Sequence, residues 1–422
     1  MSENLKRKNH RRGANVAPGL STSDFPHPIS SASRREFLRA AVGGACAACG
    51  FAAGTGLVGG PLPVDAQDIL PADSLLEGVA GETDRFTAPA RYWEARDNKR
   101  VLCTLCPREC EVADLERGGC GVRENRDGKY YTLVYSRPCS LNAHDPIEKK
   151  PLFHFLPGTR TVSTATAGCN IWCRFCQNWT ISQKRPEQIP SDYVPPDKLV
   201  ALAQQAGSHT IAFTYNEPVI FYEWMYDVAE AARKRGVRTA MISNGYIQKE
   251  PLRELCKVLS VVKIDLKAFT EKFYTEYCDG KLQPVLDTLI ELKTLGLWFE
   301  IVVLIIPTLN DSAKECKEMA QWVVKNLGPD VPMHFSRFHP TYMLMNLPRT
   351  SPSVLDRNCD IVRNEGVRYA YTGNVPGSPN EKTVCHNCRK GIIDRYGYQT
   401  QCHVKADGKC PHCGTPIPGV WK

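Results

Sequence analysis

The sequence predicts an α/β chain built as a partial (β/α)6 barrel, with a small cysteine-rich module at each end. The first observation behind this is a series of short β-branched runs from residue 161 onward. They lie at 161–165, 210–214, 238–243, 261–266, 299–306 and 333–336, with 368–371 as a candidate seventh. The second is the helical periodicity between them, at 218–235, 249–259, 282–295 and 312–326. Strand–helix repetition implies a parallel sheet with right-handed crossovers. Six units are too few for a closed eight-stranded barrel, and periodicity alone would also permit a doubly wound sheet. The third is the placing of the cysteines at metal-ligand spacings. They group as Cys103/Cys106/Cys110/Cys120, Cys169/Cys173/Cys176 and Cys385/Cys388/Cys410/Cys413.

The chain of 422 residues divides by composition. Residues 1–66 read as a basic, disordered leader that runs into an export signal. Residues 67–95 read as a linker, 96–160 as the first cysteine module, 161–380 as the barrel and 381–422 as the second module. The leader contains Ser33-Arg34-Arg35-Glu36-Phe37-Leu38-Arg39, a Gly/Ala-rich run over 40–60 and a small-residue site near Val64-Asp65-Ala66. This is the pattern of a twin-arginine signal, so the periplasm or cell envelope is the expected location and the cytoplasm the alternative. The run is too weakly apolar for a stable membrane span. Of the formal charge of +8, +5 lies in residues 1–39. The remainder has no basic stripe interleaved with aromatics, which excludes nucleic acid as the expected partner.

The chemistry gathers where the strands end. After the first strand comes Thr166-Ala-Gly-Cys169-Asn-Ile-Trp-Cys173-Arg-Phe175-Cys176. Three thiolates can grip one face of an iron–sulfur cubane, and one iron is left without a protein ligand. A structural cluster takes four, so the open iron points to a substrate or cofactor ligand. The other readings of the spacing are a zinc site or an electron-transfer cluster with a distant fourth ligand. The next strands end in Thr214-Tyr215-Asn216-Glu217-Pro218, Ser243-Asn244-Gly245 and Asp265-Leu266-Lys267, and the sixth carries His334 with His339 just beyond. In barrels of parallel strands, reactive groups collect at these ends.

The C-x3-C-x2-C spacing with Phe175 before the last cysteine resembles the signature of the radical S-adenosylmethionine (SAM) superfamily. That resemblance implies a [4Fe-4S] cluster on Cys169, Cys173 and Cys176 whose open iron is chelated by SAM. It also implies reductive cleavage of SAM to a 5′-deoxyadenosyl radical that abstracts hydrogen, fed by a low-potential electron donor. No acid–base residue is then required. Thr214–Pro218 is similar to the family's Gly-Gly-Glu-Pro motif, with Tyr215-Asn216 in place of the glycines and Glu217 retained. Asp265, Lys267 and His334 match positions that hold the SAM carboxylate and sulfonium end in pyruvate formate-lyase activating enzymes. Ile242 stands where those enzymes carry an acidic residue. Phe175, Asn216, Glu217, Asn244, Asp265, Lys267 and His334 are thus the candidate SAM contacts.

Longer strings resemble the radical SAM component of the AmmeMemoRadiSam system. They are Asp145–Gly158, Cys176-Gln-Asn-Trp179, Phe213–Pro218, His334-Phe-Ser-Arg-Phe-His339-Pro340 and Gly373-Asn374-Val375. This resemblance does not supply the substrate: the activating-enzyme resemblance suggests a partner protein, and a small molecule modified with the other components of that system is the alternative. Within the first string, Glu148, Lys149, Lys150 and His154 fit either the pocket wall or a solvated basic turn. A reading from another class is an exported iron–sulfur or zinc protein for binding or electron transfer, without SAM turnover.

The flanking cysteines suit metals that fold small modules. For Cys103, Cys106, Cys110 and Cys120 the expectation is zinc, with a second [4Fe-4S] cluster as the rival. Cys385, Cys388, Cys410 and Cys413 read as a zinc ribbon, in which Cys402, His386, His403 or His412 could replace one ligand.

Overall fold

The computed structural model describes residues 85–422. The leader and residues 67–84 of the linker lie outside the described residues. The first described segment carries β1 (Ala88–Pro89), β2 (Trp93–Ala95), β3 (Val101–Cys103), β4 (Glu111–Val112), β5 (Arg123–Arg126) and β6 (Lys129–Thr132). They form two three-stranded sheets, ordered β1-β6-β5 and β2-β3-β4.

The main sheet follows with β7 (Ser140–Pro146), β8 (Arg160–Ala165), β9 (Thr210–Phe213), β10 (Arg238–Ser243), β11 (Val261–Asp265), β12 (Phe299–Ile305), β13 (Met333–Arg337) and β14 (Ala370–Gly373). Its order is β14-β13-β12-β11-β10-β9-β8-β7. Strands β8 to β14 pair in parallel, and β7 runs antiparallel to β8. The candidate seventh strand is therefore present. The antiparallel edge strand was not foreseen, because its sequence Ser-Leu-Asn-Ala-His-Asp-Pro is mostly polar. The parallel strands are almost wholly buried. A sheet covered on both faces demands such continuous apolar runs.

Helix Ala313–Leu327 shows how local sequence sets the bounds of one crossover. Ser312 caps Ala313–Leu327 by accepting from the Glu315 amide at 3.1 Å, and Gly328 ends it at φ +90°. Cys316, Met319, Ala320, Val323 and Leu327 form its buried stripe at helical spacing. Helices Pro196–Gln205 and Pro352–Asn364 complete crossovers that the periodicity had not marked, and a proline opens each at its first position.

Strands β15 (Thr383–Val384), β16 (Gly391–Tyr396) and β17 (Gln399–Cys402) make the last small sheet. It packs against the segment that leads into β8. Arg395 donates to the Phe153 carbonyl at 2.7 Å and lies 4.0 Å over the Phe153 ring. His154 bonds the Pro418 carbonyl at 2.7 Å and the Tyr371 hydroxyl of β14 at 2.6 Å. The Phe153–His154 segment thus links the β8 side of the sheet to its β14 edge.

Candidate active site

A cavity of about 880 Å³ lies at the C-terminal ends of the parallel strands. Its lining takes Cys169, Cys173, Phe175 and Cys176 from the loop after β8, and Asn216 and Glu217 from that after β9. Asn244, Asp265, Lys267, His334 and His339 complete the arc from β10 onward. Strand ends from β8 to β13 can meet around one cavity only if the sheet curves about it, as in a partial barrel. All seven candidate cofactor contacts and the three clustered cysteines therefore face one space.

The loop after β8 is held from several sides. Asn170 donates to the Tyr246 carbonyl at 2.8 Å and accepts from Asn244 at 2.9 Å. The Asn244 amide nitrogen also approaches the Cys169 sulfur at 4.0 Å. Ser182 lies 3.2 Å from the Cys176 sulfur, and Arg108 reaches the Asn170 carbonyl. Cys278, a lone cysteine in the sequence, is buried beside Cys173. Burial and Glu217 push the Cys169 thiol up; Cys278, then burial, does the same to Cys173. Burial raises Cys176 as well. A bound metal is what turns such thiols into thiolates. Among the described residues these three sulfurs do not form a set mutually within 4.8 Å. That spacing fits three corners of a cubane better than one ion.

Glu217 is fully pinned. Its carboxylate accepts from the Val219 amide at 3.0 Å, the Ser243 hydroxyl at 2.7 Å and the Asn244 amide at 2.7 Å. Burial nevertheless pushes it up to about 7. Asn216 donates to the carbonyls of Thr166 and Gly168 at 2.8 and 2.9 Å, and its buried Oδ1 has no partner. An acceptor left bare beside an acidic group is a seat for a ligand's ammonium. Tyr215, where the family motif has glycine, adopts φ +69°. A non-glycine residue there costs about 1–2 kcal/mol. Its hydroxyl bonds Asp145 and its ring lies 4.6 Å from the Lys150 ammonium, which offsets that strain.

Asp265 is bracketed by Lys263 and by Lys267, the latter at 2.8 Å. Burial raises Asp265, but the two lysines outweigh it and hold it at about 2. His334 lies at the base of this arc and bonds Glu300 at 2.7 Å. Glu148 and Lys150 are buried and line the cavity with Lys149, so they are not a solvated turn. His154 is buried between β14 and the last module, outside that lining. Lys150 bonds Asp145 at 2.6 Å, and burial lowers it to about 8. Sequence reasoning named Ser243 only as part of a strand end, and missed Asn170, Cys278 and Glu300. Only Glu300 carried a signal, an acid within an otherwise apolar strand.

Outside the cavity, Cys385, Cys388, Cys410 and Cys413 bring their sulfurs mutually within 4.8 Å. Cys385 and Cys413 are 3.7 Å apart, Cys388 and Cys410 3.8 Å. Cys402 is exposed and outside the set. His386, His403 and His412 turn instead to Tyr369, Asp394 and the Gly391 carbonyl. Cys103, Cys106, Cys110 and Cys120 do not close to that spacing.

The model of the radical SAM superfamily matches residues 163–323. An uncharacterized protein of Methanocaldococcus jannaschii is 42% identical over 330 residues, covering 78% of this chain and 98% of that protein. The chain belongs to the radical SAM superfamily. The pyruvate formate-lyase-activating enzyme of Clostridium pasteurianum is 23% identical over 175 residues, 40% of this chain and 71% of that enzyme. Among solved structures, a domain of a pyruvate-formate lyase-activating enzyme from Bacteroides vulgatus aligns at 19% identity and a TM-score of 0.35. It covers 39% of this chain and 98% of that one. A radical SAM methyltransferase from Sphaerobacter thermophilus aligns at 18% identity and a TM-score of 0.41, over 52% of this chain and 67% of that one. The domain match and the Clostridium pasteurianum relative make this chain a radical SAM enzyme with homology to the activating enzymes. Among its described residues no helix is long and apolar enough to cross a membrane.

Proposed function

We propose that this radical SAM enzyme is the radical SAM component of an AmmeMemoRadiSam system and abstracts hydrogen from a partner protein or small molecule. The observation that carries the radical chemistry is the convergence of Cys169, Cys173 and Cys176 with Asn216, Glu217, Asp265 and Lys267 on one cavity. When bound, the cluster and SAM together supply a 5′-deoxyadenosyl radical. The chain's own residues have other tasks. Asn216 Oδ1 and the Glu217 carboxylate take the SAM ammonium. Lys267 takes its carboxylate, oriented by Asp265. Phe175, packed 5.6 Å from Phe273, shields the cluster side from water. The system membership rests on the long strings of resemblance, among them Asp145–Gly158, of which Glu148, Lys149 and Lys150 line the cavity.

The same reading gives zinc to Cys385, Cys388, Cys410 and Cys413. Thiolates about 2.3 Å from one tetrahedral ion stand about 3.8 Å apart, and the separations of 3.7 and 3.8 Å support it. It also includes export by the leader and a low-potential electron donor.

The test is anaerobic reconstitution, reduction and assay for 5′-deoxyadenosine. Turnover in the native chain, lost on replacing Cys169, Cys173 and Cys176 with Ala, is the expected result. A binding or electron-transfer protein would release none. Deuterated candidate substrates that pass label into 5′-deoxyadenosine then identify the substrate class.

A further inference from the structure

We propose that Cys103, Cys106, Cys110 and Cys120 hold a second [4Fe-4S] cluster that relays single electrons to the cluster at Cys169, Cys173 and Cys176. Spacing is the first argument. A single ion needs its thiolates about 3.8 Å apart, and the C-terminal four meet that condition. Among the described residues, no three of the four N-terminal sulfurs lie mutually within 4.8 Å. They still share one place. The Cys103 amide donates to the Cys110 carbonyl at 2.9 Å, and the Cys110 sulfur accepts from the Gly119 amide, next to Cys120, at 3.4 Å. Four thiolates that do not close on the spacing of one ion suit a cubane, where each binds a different iron.

The second argument is a pair of orphan donors. Arg123 is 1% exposed and Tyr130 2% exposed. The Arg123 Nε and the Tyr130 hydroxyl are buried without a partner. Both residues meet the cysteine loop: the Gly118 amide donates to the Arg123 carbonyl at 3.0 Å, and the Tyr130 hydroxyl lies 2.7 Å from the Cβ position of Gly118, beside Cys110. A buried donor in a native fold has an acceptor. The bridging sulfides of a cubane are such acceptors, and hydrogen bonds to them tune its potential.

The third argument is placement. Gly168, next to Cys169, has φ +92°, and a Cβ there would meet the Cys120 carbonyl at 2.6 Å. Arg108 of the same module donates to the Asn170 carbonyl on the other side of Cys169. The N-terminal module therefore meets the backbone on both flanks of Cys169, through the Cys120 carbonyl at Gly168 and the Arg108 side chain at Asn170. Cys103 and Cys106 are buried, while Cys110 and Cys120 are partly exposed, which leaves one side for a donor. A reduced flavodoxin- or ferredoxin-type protein loses one electron to this cluster. The cluster is reoxidised as that electron passes to its neighbour, and no bond or proton changes place.

The relay rests on the radical SAM reading, but the metal can be tested without it. Full-length protein with Cys169, Cys173 and Cys176 replaced by Ala is reconstituted anaerobically and analysed for metals. About four irons and four sulfides per chain are expected, with a reduced paramagnetic signal that SAM does not alter. Adding Cys106→Ser and Cys110→Ser should remove that iron. Zinc in place of the iron, or no metal at these cysteines, overturns the proposal. For the relay, Cys106→Ser in the native background is reduced by dithionite or by flavodoxin. The flavodoxin-driven rate should fall at least about tenfold more than the dithionite-driven one. Equal losses with both reductants would mean that the module only supports the fold.

Discussion

The carboxylate of Glu300 receives His334 Nε2 at 2.7 Å and also takes the backbone amides of Phe153 and His154 at 2.9 and 2.8 Å. Both side chains are buried, at 0% and 1% exposure. Burial lowers His334, so a neutral imidazole donates to a carboxylate. Burial raises Glu300, yet His334 and the amides outweigh it and hold it below the usual range. Glu300→Ala leaves several buried groups without a partner and should cost about 3–5 kcal/mol. Urea denaturation should show the midpoint falling with little change in slope. The pH dependence follows from both shifts. With a depressed folded pKa, Glu300 contributes stability above the unfolded carboxylate range, lost as pH falls. His334, neutral in the fold, loses stability as pH drops below about 6.5. His334→Gln should therefore flatten stability between about pH 7 and 5, and an unchanged profile would reject the assignment.

This relationship marks the limit of what the sequence told. Periodicity located the parallel strands because each is buried on both faces and reads as an unbroken apolar run. The cysteine spacing and the polar residues at the strand ends led to the cavity for the same local reason. Strand β7 was illegible: its residues are polar and only its pairing with β8 makes it a strand. Glu300 showed only as an acid in an apolar strand; its role was not legible, since its partners, Phe153, His154 and His334, come from distant parts of the chain. His334 was expected at the SAM carboxylate or sulfonium end; it lines the cavity while its Nε2 is committed to Glu300.

Glu217 predicts how SAM binding depends on pH. Burial sets it near 7 before ligand binds, and an ammonium favours the ionised form. Affinity should thus weaken by about tenfold between pH 8 and 6. Glu217→Gln should remove that dependence and weaken binding by about ten- to a hundredfold. Calorimetry of the reconstituted protein at three pH values measures it, and equal affinity in the variant would sink the assignment.

The last small sheet gives a stability prediction. Arg395 on β16 donates to the Phe153 carbonyl, and the Val420 amide donates to that of His154 at 2.7 Å. Removing metal from Cys385, Cys388, Cys410 and Cys413 should loosen residues 381–422 and, through these bonds, the Phe153–His154 segment as well. Hydrogen exchange before and after chelation reads this directly. Protection should fall at residues 152–156 as well as in β16. A loss confined to the module would mean that Arg395 contributes little to the barrel.

Export is the prediction on which the sequence pulls in two directions. The twin-arginine route carries proteins that have folded and loaded their cofactors, which suits an iron–sulfur enzyme. Arg34-Arg35, Phe37-Leu38, the weakly apolar run after them and the small residue Ala66 all follow its pattern. Against this, SAM and low-potential reductant are supplied in the cytoplasm. An exported enzyme would need both outside, whereas a leader that is not used would leave the enzyme where its co-substrates are. The two cases separate cleanly. A reporter active only outside the cytoplasm, fused after residues 1–66, should be exported in a host with the twin-arginine machinery. The double change Arg34→Lys and Arg35→Lys should hold it inside, because that route reads the guanidinium pair and not charge alone. If the reporter stays inside with both arginines intact, the leader is not a working signal and the enzyme acts in the cytoplasm.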